Sequence, residues 1–177
     1  MQATNIRTME NLILFLATSL VIRFSSSKKI KLQAVGQTGC SALLSSESKP
    51  EAVSTKSGDQ LYFHEFKDKK VSYGMICIDM DRQYSIAEAE EMLRNYIDKL
   101  RGPLYILHNT GMQEDADWNS EASITIVDYW QDCRKKDWKV KGYTNGKILA
   151  VLYVKNIGNA DVKKQDFFLD SFHFGVA

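Results

Sequence analysis

Residues 138–155 read WKVKGYTNGKILAVLYVK, and this stretch decides the fold. Asn145-Gly146 lies between two strand-like runs. A two-residue Asn-Gly loop is the strongest local hairpin signal, because a type I′ turn needs φ > 0 at both central positions. Pairing outward from it sets Tyr143 opposite Ile148, Lys141 opposite Ala150, Val140 opposite Val151 and Trp138 opposite Tyr153. The first arm alternates, with Trp138 and Val140 on one face and Lys139 and Lys141 on the other. The second arm, 148–154, is apolar throughout, as a central strand covered on both faces is.

Working outward, residues 123–130 alternate as a strand and 132–137 form a charged turn into the hairpin. Upstream, 60–66 and 71–79 are rich in Tyr, Phe, Val and Ile and read as two strands. The polar loop Lys67-Asp68-Lys69-Lys70 joins them. Ser85 opens S-I-A-E, a capping box in which Ser85 caps the helix and Glu88 reaches back. Ala89, Met92, Leu93, Tyr96, Ile97 and Leu100 then recur at three- and four-residue steps as one apolar stripe. Gly102-Pro103 stops that helix. Residues 104–107 read as a short strand and 112–120 as a polar loop. Asn159 or Asp161 caps a last helix with the stripe Val162, Phe168, Leu169 and Phe172. Phe172-His173-Phe174 closes the chain as a short strand.

At 177 residues, 44% hydrophobic and 25% charged, the chain has the composition of an ordinary globular domain. Its net charge of +1 gives no global field toward nucleic acid or an anionic membrane. Residues 1–53 differ from the rest, with six Lys/Arg against three acids. Within them, 12–22 is apolar save for Thr18 and Ser19, too short to span a membrane but suited to the core of an export signal, with Met9 as an alternative start. Gly39-Cys40 offers a second reading, lipid attachment at Cys40. Residues 41–58, rich in Ser, Lys and Glu, read as a linker. The expected division is a signal-like leader and linker over 1–58 and a folded domain over 59–177. Membrane association, if any, is through the N-terminus only.

The order strand pair, helix, antiparallel strands and short C-terminal helix resembles the PsbP-like family. That family groups the extrinsic photosystem subunit, its bacterial relatives and the structurally related Ran-binding Mog-type proteins. The residues carrying the resemblance are Leu61-Tyr62-Phe63, 73–79, the helix 85–101, 148–154 and 166–172. It implies an α+β fold, an antiparallel sheet of about six strands with helices on its faces, and a binding or assembly role. No ligand site of the family maps onto this chain residue by residue.

The chemistry-bearing residues are scattered. Three histidines without HxH or HExxH spacing, and three cysteines without CxxC, give no metal site. Asp79 and Asp81 lack the rest of a calcium loop. Glu114, Asp115 and Asp117 make an acidic loop, and Cys133 sits beside Arg134-Lys135-Lys136. Nucleophile and phosphate-loop signatures are absent. His108, at a strand end, is the best placed histidine; an enzyme would need a cleft joining it to Asp128 or Asp132. Trp130 and Tyr143 are the candidates for an aromatic ligand or partner surface, with Lys139 and Lys141 beside them. The expectation is a non-catalytic, exported or envelope-associated binding module acting in the periplasm or cell envelope, without cofactor or metal, that takes a protein partner or small ligand and no nucleic acid. A cytoplasmic interaction domain of the Mog type is the alternative. Any pocket is expected to be apolar and aromatic, with Trp130 or Tyr143 at its rim.

Overall fold

The computed structural model describes residues 29–47, 49–55, 58–115, 122–157 and 161–175. The signal-like stretch 12–22, Asp117 and Asn159 lie outside them.

The hairpin is present, but its turn is displaced. Strand β9 (Asp137–Thr144) pairs with β10 (Ile148–Lys155) in the register Ala150 to Tyr143 and Tyr153 to Val140. That is two residues away from the register an Asn-Gly loop imposes, so every side chain keeps its expected face. The physical reason lies in Asn145. Its Oδ1 accepts from the Lys147 and Ile148 amides at 3.1 and 2.8 Å, so it serves as the first turn residue rather than a central one. Gly146 then takes φ +86 as the first central residue, the requirement of a II′ turn.

Strand β10 is indeed central. It lies between β9 and β5 (Val71–Asp79), and β5 pairs with β4 (Gln60–Asp68). Outside β4 runs β3 (Glu51–Ser54). Outside β9 run β8 (Ile124–Asp132) and then β6 (Ile106–Asn109), with the two-residue β7 (Gln113–Glu114) also on β8. The sheet therefore has eight antiparallel strands among the described residues, not about six. A separate hairpin, β1 (Ile30–Ala34) with β2 (Ser41–Ser45), completes the strands. The segment 41–58 is thus not a bare linker but carries β2 and β3. Ser46, Glu47, Lys49, Glu51 and Ser54 occupy exposed positions, while Ala42, Leu44 and Ser45 are fully buried.

Each sheet face has its own cover. Helix α1 (Ile86–Leu100) crosses β8, β9 and β10 and buries Leu93, Tyr96, Ile97 and Leu100. Its capping box forms as read from Ser85 and Glu88, the Glu88 amide donating to Ser85 Oγ at 3.3 Å and the Ser85 amide to Glu88 Oε2 at 3.0 Å. A cap contributes about 1 kcal/mol, whereas each large side chain buried contributes about 1.5–3 kcal/mol. Packing on the sheet, not the cap, holds the helix. The opposite face is covered by the β1–β2 hairpin and by α2 (Val162–Leu169), which is capped by Asp161. Val162 was expected in the α2 stripe but is 63% exposed, and Gln165 is buried in its place.

The turn geometry sets one expected result. A Cβ at Gly146 would overlap the Tyr84 carbonyl, whose own amide donates to the Gly146 carbonyl at 2.8 Å. Gly146→Val is expected to cost about 2–4 kcal/mol, from the left-handed φ and the clash together. Gly58 lies in the segment read as linker, yet it holds φ +99 in the β3–β4 connection. Gly58→Val is expected to cost about 1–2 kcal/mol, from φ alone. Urea unfolding of the two variants reads the difference; a larger loss for Gly58→Val contradicts this account.

Candidate functional site

The residues singled out by sequence are not brought together. Trp130 is 3% exposed on the α1 face, its indole donating to Asp128 Oδ2 at 2.6 Å. Tyr143 is 2% exposed on the opposite face, its hydroxyl donating to the Leu169 carbonyl. Neither forms a rim, because a strand's alternate residues point to opposite faces and both faces here are covered. Lys139 and Lys141 lie on the α2 face as expected, but they tether that helix: Lys139 Nζ meets Asp166 at 2.8 Å, and Lys141 Nζ meets Asp170 at 2.6 Å and Asp115 at 2.8 Å. His108 is exposed on the outer strand β6, opposite Gln131. Asp128 is engaged by Arg101 at 2.8 Å, and Asp132 by Trp138 and Lys155. Cys40 is buried in the α2-side core, and cleavage before it would remove β1 from β2. That geometry argues against lipid attachment there.

A concave site lies elsewhere, on the α1 face where the helix has ended and the sheet floor turns polar. Register places Trp138 of β9 opposite Lys155 of β10, Lys155 opposite Ser72 of β5, and Ser72 opposite Lys67 of β4. This single cross-strand row is the floor of a cavity of about 230 Å³. Two turns wall it: Lys70 comes from the β4–β5 turn, and Arg134 and Lys136 from the β8–β9 turn. Leu104 and Asn156 close the rest. Asn156 fastens one wall, its Nδ2 donating to the Lys70 carbonyl at 2.8 Å.

The next row inward is Tyr153, Gly74 and Glu65. Gly74 leaves room for the Tyr153 ring to lie across β5, so the hydroxyl reaches Glu65 two strands away and donates to Oε2. Glu65 lines the cavity. Burial pushes its carboxyl above the usual range, against the opposing pulls of the Tyr153 hydroxyl and Lys155.

Asp132 shapes the second wall. Its Oδ1 accepts from the Arg134 and Lys136 amides, both at 2.9 Å, while Oδ2 accepts from the Trp138 indole at 3.2 Å and meets Lys155 Nζ at 3.3 Å. Burial acts to raise the Asp132 carboxyl, but these donors outweigh it and hold it below the usual range. Lys155 Nζ also stands 4.5 Å over the Trp138 ring, a cation–π contact. Five cationic side chains thus line a small concavity with one carboxyl, Glu65, among them and a second, Asp132, behind Lys155.

The pocket is therefore lined mainly by charged residues rather than by apolar and aromatic ones, and Trp138 rather than Trp130 belongs to it. A signal existed in the sequence. Lys67-Asp68-Lys69-Lys70 and Arg134-Lys135-Lys136 are two cationic turns, and strand alternation puts Trp138 and Lys155 on one face. What joins them is the pairing of β5 with β10, which no local pattern announces.

Among the described residues no helix is long and apolar enough to cross a membrane, and no three metal-ligating side chains gather. Neither protein-family models nor curated proteins give a match to this chain.

Proposed function

We propose that this protein is a non-catalytic binding module of the PsbP-like type, exported to the periplasm or cell envelope, and that its ligand sits in the cavity floored by Trp138, Lys155, Ser72 and Lys67. The α+β architecture, an antiparallel sheet with a helix on each face, is the one the family resemblance implies. The observation that carries the reading is the cavity itself. Its floor is one row across four hydrogen-bonded strands, and its walls are turns pinned by Asp132 and Asn156. Convergent polar groups held by a sheet are what a binding site requires.

Two measurements test this. Purified full-length protein is expected to form a saturable, stoichiometric complex with a small ligand that leaves the ligand chemically unchanged by mass spectrometry. Turnover of the ligand sinks the non-catalytic reading. Cell fractionation with N-terminal sequencing tests export: a mature chain beginning after Phe24 is expected, and an intact Met1 or Met9 in the cytoplasm favours the Mog-type alternative.

A further inference from the structure

We propose that the cavity binds a compact multivalent oxyanion of the phosphate or polycarboxylate class. The proposal rests on the binding-module reading and specifies its ligand.

Charge is the first argument. The whole chain is nearly neutral at +1, yet the cavity gathers Lys67, Lys70, Arg134, Lys136 and Lys155 against two carboxyls, Glu65 in its lining and Asp132 beside Lys155. Lysines on a solvated face spread apart to reduce repulsion; these converge on a concavity, where low-dielectric walls strengthen their common field. An anion with several charged oxygens can meet more than one of them at once. The Arg134 guanidinium offers the two-pronged geometry that carboxylate and phosphate accept, while the lysines act as point charges.

Size is the second argument. At about 230 Å³ the cavity is smaller than the roughly 300–1,000 Å³ of pockets for drug-sized ligands. That volume suits a compact anion. The cations ring a hollow rather than forming the extended basic stripe that tracks a nucleic-acid backbone.

Glu65 supplies the third argument, because it makes the sign of one result specific. An ionised Glu65 on the floor repels an anion held there, and Tyr153 already uses one of its oxygens. Replacing it with glutamine keeps an acceptor for Tyr153 and removes the negative charge. If the ligand is an anion, Glu65→Gln must strengthen binding; if the ligand is a cation or a positively charged peptide, the same change must weaken it.

The test uses the full chain, titrated with pyrophosphate and with citrate by calorimetry and by ¹⁵N NMR. Acetate at matched ionic strength and glycerol are the controls. Saturable binding of pyrophosphate or citrate is expected, weakening with added salt, with shifts at the Trp138 indole N–H and the Ser72 and Asn156 amides. Response to pyrophosphate alone assigns the phosphate class, and to citrate alone the polycarboxylate class. Arg134→Ala and Lys136→Ala are both at exposed positions and are expected to fold normally. Each is expected to weaken binding about tenfold, the loss of one charge-assisted contact. Glu65→Gln is expected to tighten it several-fold. Unchanged affinity in both Arg134→Ala and Lys136→Ala, or weaker affinity in Glu65→Gln, overturns the proposal. Glycerol saturating these resonances while both anions fail overturns the anion class and leaves the binding module standing. No response to any probe overturns the proposal and counts against the binding module as well.

Discussion

Asp132→Ala is expected to lower the unfolding free energy by about 2–4 kcal/mol, most of it from leaving the buried Trp138 indole N–H without its acceptor. The Arg134 and Lys136 amides lose their acceptor too, but they sit in an exposed turn where water replaces it at smaller cost. Lys155 is partly solvated, so its lost ion pair adds little. The pH dependence has a definite sign. Asp132 is held below the ordinary aspartate value of 3.8 in the folded protein, so its contribution is fully present above that value. It is lost as pH falls through the lower folded value. Urea unfolding should therefore show the gap between native protein and Asp132→Ala constant from pH 5 to 7 and closing below about pH 3.8. A gap that widens in acid contradicts the assignment. The same variant frees the β8–β9 turn, so it should also weaken anion binding although its side chain is not a lining group.

Gly74→Ala is the second large effect, about 2–4 kcal/mol for a single methyl group. The added Cβ would occupy the space of the Tyr153 ring. The ring must then leave β5, which breaks its bond to Glu65 and disturbs its packing against Trp138, 5.4 Å away between centroids. The cause can be isolated by a double-mutant cycle. In a Tyr153→Leu background the alanine should cost under about 1 kcal/mol, since nothing then crosses the strand. Equal costs in both backgrounds would place the strain elsewhere.

The elements that proved legible are those whose causes are local. Ser85 and Glu88 are three residues apart, and their capping box formed as read. The hairpin arms alternate by steric necessity, so the faces of Trp138, Val140, Lys139 and Lys141 came out right even though the register moved by two. That shift arose because Asn145 has two uses in a turn, as a central residue with φ > 0 or as a side-chain acceptor ahead of the glycine, and composition does not choose between them. The strands within 30–54 give no signal because each is only four or five residues long, too short for a period to show among the flanking Ser, Lys and Glu. Ala42 and Leu44 become core only when the sheet arrives to cover them. Trp130 and Tyr143 share aromatic character and nearness to the hairpin, yet covering elements on both sides make them core. The cavity was out of reach for a topological reason: Lys67 and Lys155 are far apart in sequence, and only strand order sets them in one row.

The place of β10 in that order has a consequence for synthesis. The partner of β5 is the last strand of the sheet in the chain, and pairing runs from Asp79–Ile148 to Ser72–Lys155. While the ribosome is still making the intervening segments, β3, β4 and β5 can form a meander, but the inner side of β5 has no native mate. The α1 stripe likewise has no finished floor to rest on. The nucleus that unites the two halves must close a loop of this length, a slow, entropy-limited step. Closure of the sheet is therefore deferred until the polypeptide has been made as far as β10.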